Sequence, residues 1–277
     1  MEYTAIIKLT NERGNTMFSE ELRCVYQNNQ LLDVICQLRF PEILSIATNL
    51  PSQFQDAIRD EFPKYSSTTE QLPPKIEGTH GNFNIVKQSP TINYQFTTQD
   101  GCWRINLTSS FISLSCNNYT SWEDFAQRLD KPLAAFIQIY KPAYFERIGL
   151  RYLNAISRDS LSLNGTPFSE IFEPCYLGIL ADEEINETQT NRSGVDAEFA
   201  IRGGCRAKIH AGPGLVNRNG QQDKEVKFIF DQDLSMSGNV PINYSAGALE
   251  TLHSQAFSIF RGAITDLLHN AMEPTDL

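Results

Sequence analysis

The sequence has no apolar run long enough to cross a membrane or to serve as a secretory leader. Its longest apolar clusters, 133–140 and 256–268, are interrupted by Gln138, Arg261 and Asp266, whereas a membrane helix needs roughly 18 or more apolar residues in succession. The N-terminal segment carries charged side chains and has no small-residue cleavage site. These absences predict a soluble, cytoplasmic protein that does not bind membranes.

Basic side chains are fewer than acidic ones, with 23 Lys and Arg against 33 Asp and Glu in 277 residues. The resulting net charge of −10 repels nucleic acid and anionic membranes on average. Both halves of the chain are acidic, so neither is a basic domain. At 41% hydrophobic and 10% aromatic residues, the chain has enough apolar material for a core, which excludes an intrinsically disordered protein.

Motifs of common catalytic and metal sites are also missing. The six cysteines include no C-x-x-C pair, so we interpret them as reduced core thiols. His253 and His269 lie 16 residues apart, far from the i, i+4 spacing of a helical zinc motif. Neither a G-x-S-x-G elbow nor a G-x-x-x-x-G-K-[ST] phosphate loop occurs. The sequence therefore predicts no metal, no cofactor and no enzymatic activity.

Periodicity in the first half predicts one strand, a helix, a meander and a second helix. The segments with alternating apolar and polar residues, which predict strands, are 31–46, 93–98, 103–108 and 111–116. Phe54, Ile58 and Phe62 have helical spacing, and the residues from 64 to 89 are typical of loops. Ser121 is a predicted N-cap of a helix that kinks or restarts at Pro132.

The second half repeats this order of elements. The run RIGLRY (147–152) aligns with ICQLRF (35–40) at an offset of 112 residues. After it we expect a helical region at 167–180, a strand at 197–210, a hairpin loop around Gly212-Pro213-Gly214, a strand at 225–234 and one long helix at 245–272. The apolar stripe of that last helix is wider than an ordinary face, which favours a helix held by a curved sheet.

We therefore predict an α+β fold built from two tandem duplicated units, each of the order β-α-β(n)-α. The boundary is near Lys141, so the units are 1–141 and 142–277, packed as one body. The two units are expected to join edge to edge in one curved antiparallel sheet that grips the long helices.

Arg39 and Arg151 are the leading candidates for a functional contact, because the duplication places them at equivalent positions. Two guanidinium groups on one face could clamp a phosphate or carboxylate. The alternative, which we favour, is that each arginine forms a local ion pair. Tyr152 is a further candidate polar contact, with Trp103 and Phe257 as candidate walls of a cavity between sheet and helix.

Several segments of the sequence together resemble a family of uncharacterised bacterial proteins described as sporadically distributed. The segments are the strand ending Leu38-Arg39-Phe40, the 54–63 helix, the run YTSWEDF (119–125), the run RIGLRYLNAI (147–156) and the last helix with Leu252-His253 and Phe260. Members of the family lack an established activity. Their patchy distribution implies genes of phage-defence or toxin–antitoxin loci.

Three functional hypotheses follow. The first is a non-catalytic accessory protein that acts through a protein partner in such a locus, since an acidic chain complements a basic partner. The second is a small-ligand-binding protein of helix-grip form, with Arg39, Arg151 and Tyr152 as polar contacts. The third is nucleic-acid binding on the open sheet face, which the acidic charge disfavours.

Overall fold

The structure is a computed structural model, and it describes residues 17–71, 75–79, 82–86, 90–218 and 220–276. In chain order its strands are β1 (Cys24–Tyr26), β2 (Leu31–Arg39), β3 (Lys64–Glu70), β4 (Lys75–Thr79), β5 (Asn82–Val86), β6 (Thr91–Thr97), β7 (Trp103–Leu107), β8 (Phe111–Cys116), β9 (Phe145–Ile156), β10 (Val195–Ile201), β11 (Cys205–Gly214), β12 (Asn217–Arg218), β13 (Gln221–Gln222), β14 (Lys227–Val240) and β15 (Pro274–Asp276). Its α-helices are α1 (Leu44–Thr48), α2 (Ser52–Ile58), α3 (Trp122–Tyr140), α4 (Phe168–Ile171), α5 (Ser245–Ala263) and α6 (Asp266–Ala271).

Within the described residues, nine strands form one antiparallel sheet in the order β10-β11-β14-β9-β2-β8-β7-β6-β3. The central pair is β2 and β9, in which Gln37 lies opposite Gly149. Outward from this pair the order is β8, β7, β6 on one side and β14, β11, β10 on the other. The prediction of a mixed fold with a large antiparallel sheet is confirmed.

The helices α2, α3 and α5 cover the same face of the sheet. Side chains alternate between the two faces of a strand, and in β2 the buried positions are Val34, Cys36 and Leu38. Aromatic rings join this face to the helices, and the pairs are Phe40 with Phe136 of α3, Phe96 with Phe54 of α2, and Phe230 with Phe260 of α5. The opposite face, which we call the open face, carries the polar positions of the same strands.

The two long helices differ from their predicted forms. Ser121 caps α3 as expected, accepting a hydrogen bond from the Asp124 N–H at 3.2 Å, but α3 continues through Pro132 and does not restart there. The predicted 245–272 helix is two helices, because Ile264 adopts extended backbone and forms a β-bridge with Phe172. The chain therefore leaves helical geometry to pair with a distant segment.

Three further predictions about the loops and strands were wrong. The expected strand region 197–210 is a hairpin: the tight bend that the Gly203-Gly204 pair indicates is present, with φ values of 73° and 71°, but it separates two strands, β10 and β11. The Gly212-Pro213-Gly214 segment is not a loop, because it continues β11 in register with β14. The loop-rich region 64–89 contains β3, β4 and β5.

An N-terminal strap, which we define as residues 17–28, crosses α5. The Ser19 N–H donates to the Ser258 carbonyl at 2.9 Å, and the Ser258 hydroxyl donates to the Ser19 carbonyl at 2.7 Å. Further along, β1 of the strap pairs with β15. The strap therefore binds the C-terminal elements and lies over the seam between α5 and the sheet.

Arg261 fixes the strap to the end of α5. Its side chain is only 1% exposed and forms ion pairs with Glu21 of the strap at 2.7 Å and with Asp266 of α6 at 2.9 Å. It also donates to the Ile264 carbonyl at 3.3 Å. A buried guanidinium is tolerated only when it is paired and hydrogen-bonded, so these three contacts explain its position. No helix in the part of the chain that the structure describes is long and apolar enough to cross a membrane.

The Gly262→Ala variant tests the packing of the strap. A Cβ at Gly262 would stand 2.5 Å from the Met17 carbonyl oxygen, so the strap must move, and we expect a loss of about 1–3 kcal/mol in the free energy of unfolding. Urea denaturation measures this loss, and hydrogen exchange of residues 17–28 should become faster.

Gly247→Ala in the same helix is the matched control. Its Cβ would meet only the edge of the Tyr244 ring at 3.2 Å, and that ring is 47% exposed and free to move. Alanine is the better helix former by up to about 1 kcal/mol, so this variant should keep or gain stability. A Gly262→Ala protein as stable as the control would contradict the close strap–helix contact.

Candidate functional site: a cavity beneath the strap

A cavity of about 90 Å³ lies between the sheet and α5, and it is partly open to the surface. Its floor is formed by β9 and β14, and the strap forms one wall through Arg23, Cys24, Val25 and Tyr26. The site thus needs segments from both ends of the chain and the centre of the sheet.

Most of the cavity wall is apolar. Side chains from α5, from β2 and from the C-terminal region supply it, and these are Leu31, Ala256, Phe257, Phe260 and Met272. The indole of Trp122 stacks on the His253 ring with centroids 4.5 Å apart and an interplanar angle of 10°. The Trp122 N–H donates to a carboxylate oxygen of Glu250 at 2.6 Å, which fixes the orientation of the indole.

A chain of hydrogen bonds runs along the polar side of the cavity. The Tyr152 hydroxyl lies 2.7 Å from His253 Nδ1, and His253 Nε2 lies 2.9 Å from Arg23 Nη1. The other end of the Arg23 guanidinium donates to Glu123 at 2.5 Å. These hydrogen bonds therefore link the sheet, α5, the strap and α3.

The Arg23 contact determines which nitrogen of His253 carries the hydrogen. A guanidinium can only donate, so Nε2 must accept and the neutral ring carries its hydrogen on Nδ1. Nδ1–H then donates to the Tyr152 hydroxyl oxygen. Burial, together with the Arg23 charge, lowers the pKa of His253 to about 3, so the ring is neutral at physiological pH.

The two tyrosines of the site are also held in their neutral forms. Burial raises the pKa of both Tyr119 and Tyr152 above that of a free phenol. Their rings pack edge to face with centroids 6.0 Å apart. The hydroxyl groups at this side of the cavity thus serve as neutral donors and acceptors.

Among the described residues of the cavity wall, only Gln232 has an orphaned oxygen, that is, a buried side-chain oxygen without a hydrogen-bond partner. It lies in β14 opposite Tyr152, is 3% exposed, and its Oε1 has no hydrogen-bond partner. Its neighbours on the same face of β14, Phe230 and Leu234, are apolar and buried. A polar side chain at an apolar position of an alternating strand is therefore the sequence signal that could have identified this site.

The structure does not bring the three predicted contact residues together. Tyr152 faces the helices and lines the cavity, whereas Arg151, its neighbour in the chain, lies on the open face and forms a two-point ion pair with Asp231 at 2.7 and 2.5 Å. Arg39 is on the open face too, directly opposite Arg147. Successive residues of a strand point to opposite faces, so Arg151 and Tyr152 cannot line one site.

Of the two residues predicted to form walls of the cavity, one lines it and the other does not. Phe257 lines the cavity, but Trp103 packs against Phe125 at 5.6 Å and does not reach it. The residues that sequence reasoning missed are Arg23, His253 and Gln232. The first two were missed because their contact joins positions 230 residues apart in the chain.

Comparison with known proteins adds no assignment: no family model matches the chain, and no curated protein matches it either. The resemblance to the sporadically distributed family therefore stays a prediction. Over the described ranges, no group of three or more His, Cys, Asp or Glu side chains could hold a metal ion.

The pH dependence of stability tests the buried neutral state of His253. In the unfolded chain the His253 ring binds a proton near pH 6.5, whereas in the folded chain it does so only near pH 3. Acidification between these two values therefore favours unfolding. This group alone should lower the free energy of unfolding by about 1.4 kcal/mol per pH unit below pH 6.5. Between pH 7 and pH 5, we expect the wild type to lose about 2 kcal/mol more than His253→Gln.

Urea denaturation of both proteins at the two pH values gives this difference. His210→Gln is the control, because His210 is an imidazole 48% exposed on the open face, paired with Asp196. Equal losses for the wild type and His253→Gln would show that His253 is not held neutral by burial.

Proposed function

We propose that this chain is a small-ligand-binding protein whose site is the cavity between the sheet, α5 and the strap. The observation that carries the proposal is the orphaned Oε1 of Gln232. A buried polar atom without a partner costs about 1–3 kcal/mol, and native structures rarely keep one without a bound water or ligand. Gln232 is a residue of the cavity wall, so a bound molecule can satisfy the oxygen once the amide turns toward the cavity.

The surroundings of Gln232 fit a binding site of this kind. Ligand sites combine a mainly apolar wall with a few convergent polar groups, and this cavity has the Gln232 amide and the Tyr152 hydroxyl among apolar side chains. Both polar groups are on neighbouring strands at the centre of a large sheet. Their positions are therefore fixed by backbone that cannot easily move.

The tandem duplication, with units 1–141 and 142–277, belongs to the same proposal. Its support is the register of β2 and β9. Under the 112-residue offset Gln37 corresponds to Gly149, and these two residues lie opposite each other. The flanking pairs, Cys36 with Leu150 and Leu38 with Ile148, are exchanged by the same offset, as expected for two equivalent strands about a local two-fold axis.

The proposed duplication allows the cavity to be compared with the equivalent position in the first unit. Under the offset Tyr152 corresponds to Phe40, whose ring packs on Phe136 of α3 at 4.6 Å. In the second unit, Tyr152 instead meets His253 of α5. The first unit thus fills the space between sheet and helix with hydrocarbon, and the second unit places polar groups there, which packing alone does not require.

A protein partner is the second candidate function, and the open face is the observation that favours it. Arg39 and Arg147 lie opposite each other there, and like charges in such a pair are destabilising. Arg147 is neutralised by Asp233 at 2.7 Å, whereas Arg39 has no ion pair within the described residues. A carboxylate of a partner would complement Arg39, while the acidic chain as a whole suits a basic partner, in the accessory role that we propose within a phage-defence or toxin–antitoxin locus.

Native mass spectrometry of the chain, captured by a tag from its host, tests both candidates. A small extra mass that is lost in the Ala256→Leu variant supports the cavity, because Ala256 lines it from α5 and is 1% exposed. A stoichiometric protein partner that is lost in Arg39→Glu favours the open face. A bare chain in every preparation counts against both.

The Gln232→Met variant tests the orphaned oxygen directly. Methionine has a similar shape and no buried acceptor, so we expect the ligand-free protein to gain about 1–2 kcal/mol of unfolding free energy, measured by urea denaturation. Gln37→Met, on the open face of β2, is the control and should leave stability within about 0.5 kcal/mol. A destabilised Gln232→Met protein would mean that the Gln232 amide already has a partner within the protein.

A further inference from the structure

We infer that the ligand of the cavity is an uncharged molecule of fragment size that both accepts and donates a hydrogen bond on a flat, apolar body, such as a small aromatic primary amide. This inference rests on the proposed ligand-binding function. It names the chemical class that the described wall of the cavity recognises.

The ligand must donate one hydrogen bond. Gln232 Oε1 is an acceptor, is buried and is unpartnered. Once the Gln232 amide turns toward the cavity, a ligand with an N–H or O–H group recovers the desolvation cost of the oxygen, whereas a purely apolar ligand leaves it unpaired.

The ligand must also accept one hydrogen bond. Because His253 donates to Tyr152 from Nδ1, the Tyr152 hydroxyl oxygen is an acceptor and its hydrogen remains to be placed. Within the described residues the Tyr152 hydroxyl makes its one hydrogen bond to His253, so its O–H remains available to a ligand in the cavity.

A charged ligand finds no free counter-charge among the described residues of the cavity. Arg23 is paired with Glu123 and bonded to His253, and His253 itself is neutral because its Nε2 accepts from Arg23. Burying an unpaired charge is strongly unfavourable. The site therefore discriminates against anions and cations of the same shape.

The apolar wall and the volume of the cavity determine the size and shape of the non-polar part of the ligand. Leu31, Phe257, Phe260 and Met272 present hydrocarbon and aromatic surface, which suits a flat ring. The cavity volume of about 90 Å³ is small for a drug-sized molecule, since such sites span roughly 300–1,000 Å³. A single ring with one polar group fits this space, and part of it can extend through the open side.

Four ring compounds of nearly equal size provide the test: benzamide, benzoate, benzamidinium and toluene. Binding is measured by ligand-observed NMR titration and by the shift in melting temperature of the full chain at pH 7. We expect benzamide to bind at least about tenfold more tightly than the other three probes. Gln232→Met and Tyr152→Phe should each weaken benzamide by about three- to tenfold, the effect of one neutral hydrogen bond, and leave toluene unchanged.

The possible results separate this inference from the proposed function. Tighter binding of benzoate or benzamidinium overturns the uncharged class but keeps the cavity as a binding site, provided that Ala256→Leu blocks it. Equal binding of toluene and benzamide overturns the hydrogen-bonding pattern. No binding of any probe, together with a bare chain in native mass spectrometry, overturns ligand binding itself and assigns the cavity to water.

Discussion

The antiparallel pairing of β2 with β9 is the constraint on which the rest of the structure depends. It joins strands of the two halves at the centre of one nine-stranded sheet within the described residues. Because side chains alternate along a strand, this register also decides which side chains meet the helices. Cys36, Leu38, Leu150 and Tyr152 fall on the covered face, and Arg39 and Arg151 fall on the open one. A shift by one residue would exchange the two sets.

The cavity brings together several buried polar side chains of the covered face. Asn154, Gln232 and His253 are three of the eleven polar side chains that are more than 90% buried in the described residues, and all three line the cavity. Asn154 is satisfied by the Phe230 carbonyl at 3.3 Å and His253 by Tyr152 and Arg23, whereas the Gln232 oxygen is not satisfied. At this site, hydrogen-bonding side chains therefore occupy covered-face positions that are mostly apolar elsewhere along the same strands.

The strands could be predicted from the sequence because a half-buried antiparallel strand has a strict two-residue period, as in 103–107 and 111–116. The Ser121 cap was predictable for an equally local reason. The end of α5 at Ala263 was not, since it is set by a bridge between Ile264 and the distant Phe172, and local propensity contains no information about such a contact. Of the site, Tyr152 and Phe257 could be found from a local pattern. Arg23 could not, because only the tertiary fold places it beside His253.

The strap has a consequence for the order in which the site can form during synthesis. Ser19 leaves the ribosome early, but its partner Ser258 lies 239 residues later, which corresponds to tens of seconds at about 5–20 residues per second. Closing so long a loop is slow relative to local folding. Until the C-terminal helix emerges, the strap has no α5 to cross and the polar side chains of β9 lack a cover. The cavity is therefore among the last parts of the molecule to be completed, and a nascent or C-terminally truncated chain has no closed site.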